Sequence, residues 1–567
     1  MLTYELRREG AGTLQGQLYA FIRADVESGV IAAGERLPSR RALARHLGVS
    51  VITVEGAYGQ LVAEGYLESR ERRGFFAADI PRAPAYGVVG VGAQCSSGVP
   101  VKPLSDAVPA AGSTAGGGAN ASAARSASLE AHGGSGSGGA KKGKNTLLTC
   151  TDGASRAISS IENITFSSPA PSRAFAAGFS GPAPSRGPEA GFSSPAPSRE
   201  LVADFSGATA GEGLFPYAAW ARTIRRVLAD ESERTLLAAS GPRGSLALRR
   251  AIADHLRGFR GMVVDPAQIV VGAGAQALYH LLVLLLGRSR RFAVEDPGYP
   301  RLAATYRAEG VSVAPVALDA EGPSLSALRA SGASVLHCMP SHQFPTGLVT
   351  PAPRRYELLA WAVEEPGRYL VEDDYDCEFR MAGRPLPSLQ SIDGAERVIY
   401  LNTFTKSLGA AFRIGYMVLP PHLARAFARD LGFHACTVGA LEQAALARFI
   451  ESGDYERHVN RTRARSRRVR DALLDALRAT PAADRLAFEH VDAGLHFVLH
   501  VRGMDARGQE DLVARALSRS VRMAPLASYA LGSAADPSLT GRFLMAYGSV
   551  QEQNVAAAAR VIGDECG

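Results

Sequence analysis

Residues 397–416 read RVIYLNTFTKSLGAAFRIGY, and residues 369–380 read YLVEDDYDCEFR. Each opens on a short β-branched and aromatic run, then breaks into hydroxyl, acidic or glycine residues. A short apolar run bounded in this way is strand-like. QIVVGAG at 268–274 and RFAVEDPGY at 291–299 have the same form. Helical stretches lie between them, among them the apolar run Ala277–Leu286. Strands alternating with helices predict an α/β domain with a largely parallel sheet. Ligands of open α/β sheets bind beyond the carboxyl ends of the strands, so the polar tails of these four runs converge on one expected site.

The tails carry complementary chemistry. Lys406 follows the strand expected at Val398–Leu401 and is flanked by hydroxyls, where an amine can be poised for Schiff-base formation. Asp373 follows the strand expected at Tyr369–Val371, and its carboxylate can keep a pyridine nitrogen protonated. Tyr375 can hydrogen-bond a phenolic oxygen. Gly272–Leu278 is a glycine turn leading into a helix, whose free N–H groups suit a phosphate, and Arg413 adds a cation.

Together with Pro297–Pro300 (PGYP), Pro340–Gly347 (PSHQFPTG), Glu372–Arg380 (EDDYDCEFR), Thr403–Leu408 (TFTKSL) and Arg413–Tyr416 (RIGY), these residues resemble the fold-type I aminotransferase domain of pyridoxal-phosphate enzymes. PSHQFPTG and EDDYD-EFR resemble one subgroup, the MocR/GabR-type regulators. The resemblance implies pyridoxal 5'-phosphate as cofactor, joined to Lys406 as an internal aldimine. It implies that Asp373 pairs with the pyridine nitrogen and Tyr375 with the ring hydroxyl oxygen, and that Tyr299 stacks on the ring. Ala275, Gln276, Thr403, Thr405 and Arg413 would surround the phosphate, and Arg542 would grip the carboxylate of an amino-acid effector. Phe344, Ala239 and Ala410 depart from residues common in aminotransferases. His342 is expected near the pocket, as a structural hydrogen-bonding group or as a ligand contact.

Toward the N-terminus the text changes. Leu14, Leu18, Ile22 and Val26 recur at four-residue spacing, one face of a helix. Ser39 precedes a short helix, Arg40–Leu47. Gly48 turns the chain, and Ser50 is a good N-cap for a helix reaching Glu64. Tyr66–Leu67 and Phe75–Phe76 flank Arg70–Gly74 as a hairpin. Three helices and a hairpin predict an α+β winged helix-turn-helix, whose second motif helix enters the major groove. The segment ERLPSRRALARHLGVSVITVEGAYGQLVAEGYL resembles the GntR-type module over residues 12–78. By that resemblance Arg40, Arg41, Ser50 and Thr53 contact double-stranded DNA, and Gly74 shapes the wing. Val51 stands where the family often has a DNA-contacting arginine.

Between the two lies a Gly/Ala/Ser/Pro-rich text without apolar periodicity, expected to be disordered. It holds three FSxPAPSR copies, beginning at Phe166, Phe179 and Phe192. The expected organisation is therefore a DNA-binding domain at 1–80, a flexible linker at 81–199 and an aminotransferase-like domain at 200–567. The chain of 567 residues has a net charge of +7. Residues 1–80 hold ten arginines and ten acids, net zero, so bulk charge does not carry the nucleic-acid reading; the local run Arg36, Arg40, Arg41, Arg45 does. A second cluster is Arg70, Arg72 and Arg73. Arg461, Arg463, Arg465, Arg467, Arg468 and Arg470 read as a solvated helix face, or alternatively as an additional DNA or cross-domain contact. Six cysteines without a CxxC pair exclude a disulfide scaffold, and the histidines and cysteines show no metal-ligand spacing.

No stretch suits a secretory leader or a membrane span. The expected protein is a cytoplasmic homodimeric transcription regulator that senses pyridoxal phosphate or an amino compound through Lys406. A working aminotransferase carrying a DNA-binding domain is the alternative.

Overall fold

The computed structural model describes residues 13–70, 73–80, 201–207, 213–381, 386–532 and 536–567, with Leu2, Tyr4 and Leu6. The linker expected at 81–199, its three repeats and Arg72 lie outside these residues.

The N-terminal module opens with α1 (Leu14–Ser28), whose first turn is capped by the Thr13 hydroxyl accepting from Gly16 N–H at 3.1 Å. Leu18, Ile22 and Val26 are buried along it, as the spacing predicts. Helix α2 (Arg40–Leu47) is capped by Ser39, and α3 (Val51–Ala63) by Ser50, whose Oγ accepts from Thr53 N–H at 3.1 Å. The wing is an antiparallel pair, β1 (Leu67–Arg70) and β2 (Gly74–Ala77), with Leu67 opposite Ala77. Leu37 N–H donates to Phe75 O at 2.9 Å and braces the wing from the side. Leu43, Val54, Tyr58 and Leu61 fill the space between the helices.

The large domain begins at β3 (Ala203–Asp204) and is built on an eight-stranded sheet. Its strands are β4 (Ile269–Gly272), β5 (Arg291–Asp296), β6 (Ser312–Asp319), β7 (Gly322–Pro323), β8 (Val335–Cys338), β9 (Tyr369–Asp373), β10 (Val398–Thr403) and β11 (Gly415–Val418). The spatial order is β4-β11-β10-β9-β8-β5-β6-β7. The strands from β10 to β6 pair in parallel, while β11 is antiparallel to both its neighbours. Side chains alternate between two buried layers, as parallel strands covered on both faces require. Ile399 and Leu401 pack on the layer containing Leu282 and Phe292; Val398 packs with Leu358 and Trp361, and Tyr400 with Leu256 and Phe449.

A second sheet, in the order β12-β13-β16-β15, is formed by β12 (Leu486–Glu489), β13 (His496–Val501), β15 (Ala524–Pro525) and β16 (Arg542–Ala546). The short β14 (Val521–Arg522) pairs with β3. The long helix Asp454–Arg478 connects the two parts. Its arginine run is only partly solvated: Arg461, Arg467 and Arg468 are exposed, while Arg463, Arg465 and Arg470 are partly or fully buried. Arg463 Nε donates to Glu378 O at 2.7 Å, Arg467 donates to Met381 O, and Arg470 pairs with Asp471 and Asp492. The run fastens the helix to its surroundings because backbone carbonyls from distant segments face it.

The described residues of both parts fall in one compact unit. Ala352, which opens the helix Ala352–Glu364, is buried in the core of the N-terminal module, and Tyr356 packs against that core. Ala352 N–H donates to Glu64 O at 3.0 Å. Among the described residues no helix is long and apolar enough to cross a membrane.

Candidate functional site

Sheet register gathers the expected residues. Thr403 lies opposite Gly415, and Gly415 opposite Gly272, so the ends of β10, β11 and β4 lie level. Asp373 lies opposite Leu401, at the same edge. β9 runs two residues past its expected end and includes Asp373, whose Oδ2 accepts from Tyr279 O–H at 2.7 Å and lies 3.3 Å from His337 Nε2. Tyr306 O–H in turn meets His337 Nδ1 at 2.8 Å. Both Asp373 contacts fall on Oδ2, which fixes the carboxylate plane. Tyr279, His337 and Tyr306 were not expected as site residues. The sequence signal was a histidine inside the core strand VLHC and a tyrosine inside an apolar helix.

Lys406 sits just past β10 in the short turn of helix Thr405–Leu408. Its side chain is exposed and opens into a pocket of about 700 Å³ that Tyr375, Asp376, Phe344 and His496 also line. Burial holds its ammonium below the usual lysine range, with Asp376 opposing the effect. The neutral amine is the nucleophilic form.

The phosphate corner is built from backbone. Gly274 has φ +78° and precedes the helix Ala275–Leu286, whose first turn has no side-chain cap. Ala275 and Gln276 therefore present free N–H groups. Arg413, itself at φ 51°, donates from Nη2 to Ala273 O at 3.0 Å. A β-carbon on Gly274 would come within 3.1 Å of the Arg413 guanidinium carbon, so the glycine is what lets that cation lie over the helix start. Thr437 Oγ1 accepts from Ala273 N–H at 2.8 Å and holds the turn from the far side. Open N–H groups, a cation, a fixed carboxylate and an amine whose charged form is disfavoured fit pyridoxal phosphate.

The acidic run 372–376 distributes its side chains. Glu372 accepts from Leu389 N–H at 2.9 Å and Gln390 N–H at 3.0 Å. Burial and the neighbouring Asp374 push its pKa up to about 7. Asp374 pairs with the buried Arg260 and accepts from Tyr400 O–H at 2.8 Å. Asp376 Oδ2 lies 2.8 Å from His342 Nδ1, and Tyr375 Oη lies 3.2 Å from the same nitrogen. An ionised Asp376 only accepts, so Nδ1 carries the proton. The Tyr375 oxygen then accepts, and its own hydrogen is left for the pocket. His342 is thus a hydrogen-bonding group. His496 stacks on it with centroids 4.0 Å apart. Burial, helped by His342 and Lys406, holds His496 well below the usual histidine range. His342, Asp376 and His496 offer ligand atoms within 4.8 Å of one another, a juxtaposition invisible in their spacing along the chain. Tyr299 opens the helix Pro300–Ala308, with its ring perpendicular to Phe344 at 5.8 Å.

Arg542 is not brought to this pocket. Its Nε lies 3.2 Å from a Glu489 oxygen, and Nη1 donates to Ser538 O. It shares a sheet face with Ala546, which does line the pocket. Four residues of strand separate the two, roughly 13 Å.

In the N-terminal module Arg40 pairs with Glu55 on α3. Ser50 and Thr53 hydroxyls meet at 2.8 Å. Arg41 is exposed on α2 and forms no ion pair among the described residues. Gly74, at φ +105°, begins β2 with the Arg36 side chain beside it.

Residues 206–562 match the family model described as aminotransferase class I and II, and residues 14–77 match bacterial regulatory proteins of the gntR family. The HTH-type transcriptional regulator YhdI of Bacillus subtilis is 29% identical over 554 residues, covering 98% of this chain and 96% of that protein. The "Probable rhizopine catabolism regulatory protein MocR" of Rhizobium meliloti is 30% identical over 522 residues, 92% of this chain and 88% of the relative. Among solved structures, the multiple substrate aminotransferase of Thermococcus profundus superposes with a TM-score of 0.56 at 22% identity, covering 65% of this chain and 92% of that one, a likeness of fold. With a gntR-family module ahead of an aminotransferase class I and II domain, and with relatives that match along nearly the whole length, the chain belongs to the MocR-type transcriptional regulators.

Proposed function

We propose that this regulator binds double-stranded DNA in the cytoplasm as a homodimer, through α2, α3 and the wing, and that its large domain holds pyridoxal 5'-phosphate and reads an amine or the cofactor itself. The observation that supports this most is the meeting of Lys406 and Asp373 at one sheet edge with the uncapped helix start at Ala275 and the Arg413 cation. Bound there, pyridoxal phosphate supplies an aldehyde that condenses with amines, on a ring that withdraws electrons.

The chain's own residues set the conditions. Asp373, oriented by Tyr279 and His337, would hold a proton on the ring nitrogen. Tyr375 would donate to the ring oxygen. Ala275 and Gln276 N–H groups, Thr403, Thr405 and Arg413 would hold the phosphate. Burial keeps the Lys406 amine unprotonated at lower pH than a surface lysine. An amine effector bound beside Lys406 would change what the wall at Phe344 packs against. Differential affinity of the effector for two arrangements of that wall is what shifts the DNA-binding equilibrium.

A working aminotransferase is the second reading, supported by the presence of both Lys406 and Asp373 at the ends of neighbouring strands. One experiment addresses both. Purified protein is given pyridoxal phosphate, and its visible absorbance is followed with a panel of amines and amino acids, beside Lys406→Ala. A band that one amine shifts reversibly, and that the variant lacks, is the expected result. A shift that runs on to keto-acid release establishes transamination. A band retained in Lys406→Ala removes Lys406 from the assignment.

A further inference from the structure

The first turn of α3 presents two apolar side chains to solvent. Val51 is 42% exposed and Ile52 79% exposed. In a helix-turn-helix these are positions at the N-terminal end of the helix that enters the major groove, where side chains reach base edges.

The hydrogen-bonding side chains of α3 are already engaged. The helix reads VITVEGAYGQLVA and holds no lysine or arginine. The Thr53 hydroxyl meets Ser50, Glu55 pairs with Arg40, Tyr58 O–H donates to Pro38 O at 2.9 Å, and Gln60 Nε2 donates to Glu64 at 2.9 Å. The helix therefore has no guanidinium fork for guanine and no free amide for adenine. What it offers outward is hydrocarbon. Gly59, where a β-carbon would meet nothing within 4 Å, leaves the same helix thin further along. Exposed arginines surround this surface: Arg36, Arg41 and Arg45 on and before α2, and Arg73 in the wing. A charged rim suits phosphates, and an apolar centre suits the one apolar group on a major-groove edge, the thymine C5 methyl.

We propose that Ile52 and Val51 read thymine methyl groups, so that each half-site carries thymine where the first turn of α3 enters the groove. This rests on the DNA-binding reading above. Burying one methyl is worth about fourfold in affinity.

The test uses the full-length protein and a duplex library randomised over its central base pairs. The most enriched duplex is resynthesised with each thymine replaced singly by deoxyuridine, which lacks only the methyl, and affinities are measured by fluorescence anisotropy. At one or two thymines per half-site the loss of the methyl should weaken binding about fourfold. In Ile52→Ala, a substitution on an exposed surface away from the core, at least one of those positions should become indifferent to the methyl. An enriched site whose binding is unchanged by every deoxyuridine overturns the proposal and leaves the DNA-binding reading standing. The same holds if Ile52→Ala and Val51→Ala both keep the full methyl dependence. Failure to bind any duplex overturns the DNA-binding reading, and this proposal with it.

Discussion

Ala352 N–H donates to Glu64 O at 3.0 Å, so a helix that starts behind the pocket wall is bonded to the residue that ends α3. The segment leading to Ala352 is the one that places Phe344 in the wall of the pocket that holds Lys406, and His342 against Asp376. Glu64 is itself buried, with its carboxylate held by Tyr19 O–H at 2.5 Å. A wall displaced by a ligand thus has a short route, through a few residues of chain and one hydrogen bond, to the end of α3.

Gly65 is the place to interrupt that route. It sits at φ +79°, and a β-carbon there would come within 3.1 Å of Pro351. Gly65→Ala adds about 1–2 kcal/mol of backbone strain and pushes on the joint. Cofactor absorbance should be unchanged, and DNA affinity should stay within about threefold of wild type. The change in DNA affinity on adding cofactor or amine should fall by at least half. A full response in the variant would show that the signal does not pass through this contact.

His342 should govern the Tyr375 hydroxyl. With Nδ1–H shared between Asp376 and Tyr375, His342 makes Tyr375 a better donor to the cofactor's ring oxygen. Removing it in His342→Ala weakens one hydrogen bond, worth about 0.5–1.5 kcal/mol. The pH at which the bound cofactor's visible band changes should rise by roughly half to one unit. A spectral titration decides this; a midpoint that stays or falls contradicts the tautomer assigned to His342.

Glu295 makes stability depend on pH. Its carboxyl is buried, accepts from Met339 N–H at 3.1 Å, and has an oxygen without a partner. Burial pushes its pKa up to about 8. The folded state therefore holds this proton more tightly than the unfolded chain. The contribution is full below the ordinary glutamate range and is lost as pH rises through about 8. Glu295→Gln should flatten that dependence. Thermal melts at pH 5, 7 and 9 should show the variant gaining on wild type as pH rises, and a gap that is constant with pH would refute the assignment.

Arg41 is expected to serve phosphate. It is exposed and makes no ion pair among the described residues, whereas Arg40 is occupied by Glu55. Arg41→Ala should weaken DNA binding across sequences and reduce the magnitude of the salt slope by about one. Arg40→Ala should do less to the slope, because it also releases Glu55. An unchanged slope in Arg41→Ala would place its side chain off the backbone.

Much of this was legible in the sequence because it is local. Ser39, Ser50 and Gly48 mark helix ends through hydrogen bonds made within a few residues. Lys406 and Asp373 end apolar runs, and α/β geometry puts such ends together. Contacts between distant segments were not legible. Arg542 has the right residue type and the right strand face, but its distance along β16 is set by how β13 and β16 register. Part of the arginine run of the helix Asp454–Arg478 is engaged rather than solvated, because the carbonyls of Glu378 and Met381 approach it only in the folded chain. His337 and Tyr279 support Asp373 from other elements, and no motif connects them.

The acidic run at the end of β9 has a bearing on how this chain can vary. Glu372, Asp373, Asp374 and Asp376 each hold a different partner: two backbone amides, a tyrosine, an arginine and a histidine. Four similar side chains have been given four separate addresses by nothing more than their order. Exchanging one acid for another alters a single address, whereas inserting or deleting one residue re-addresses all of them together. The count of residues along 372–376 therefore constrains all four contacts at once, where each letter constrains only one.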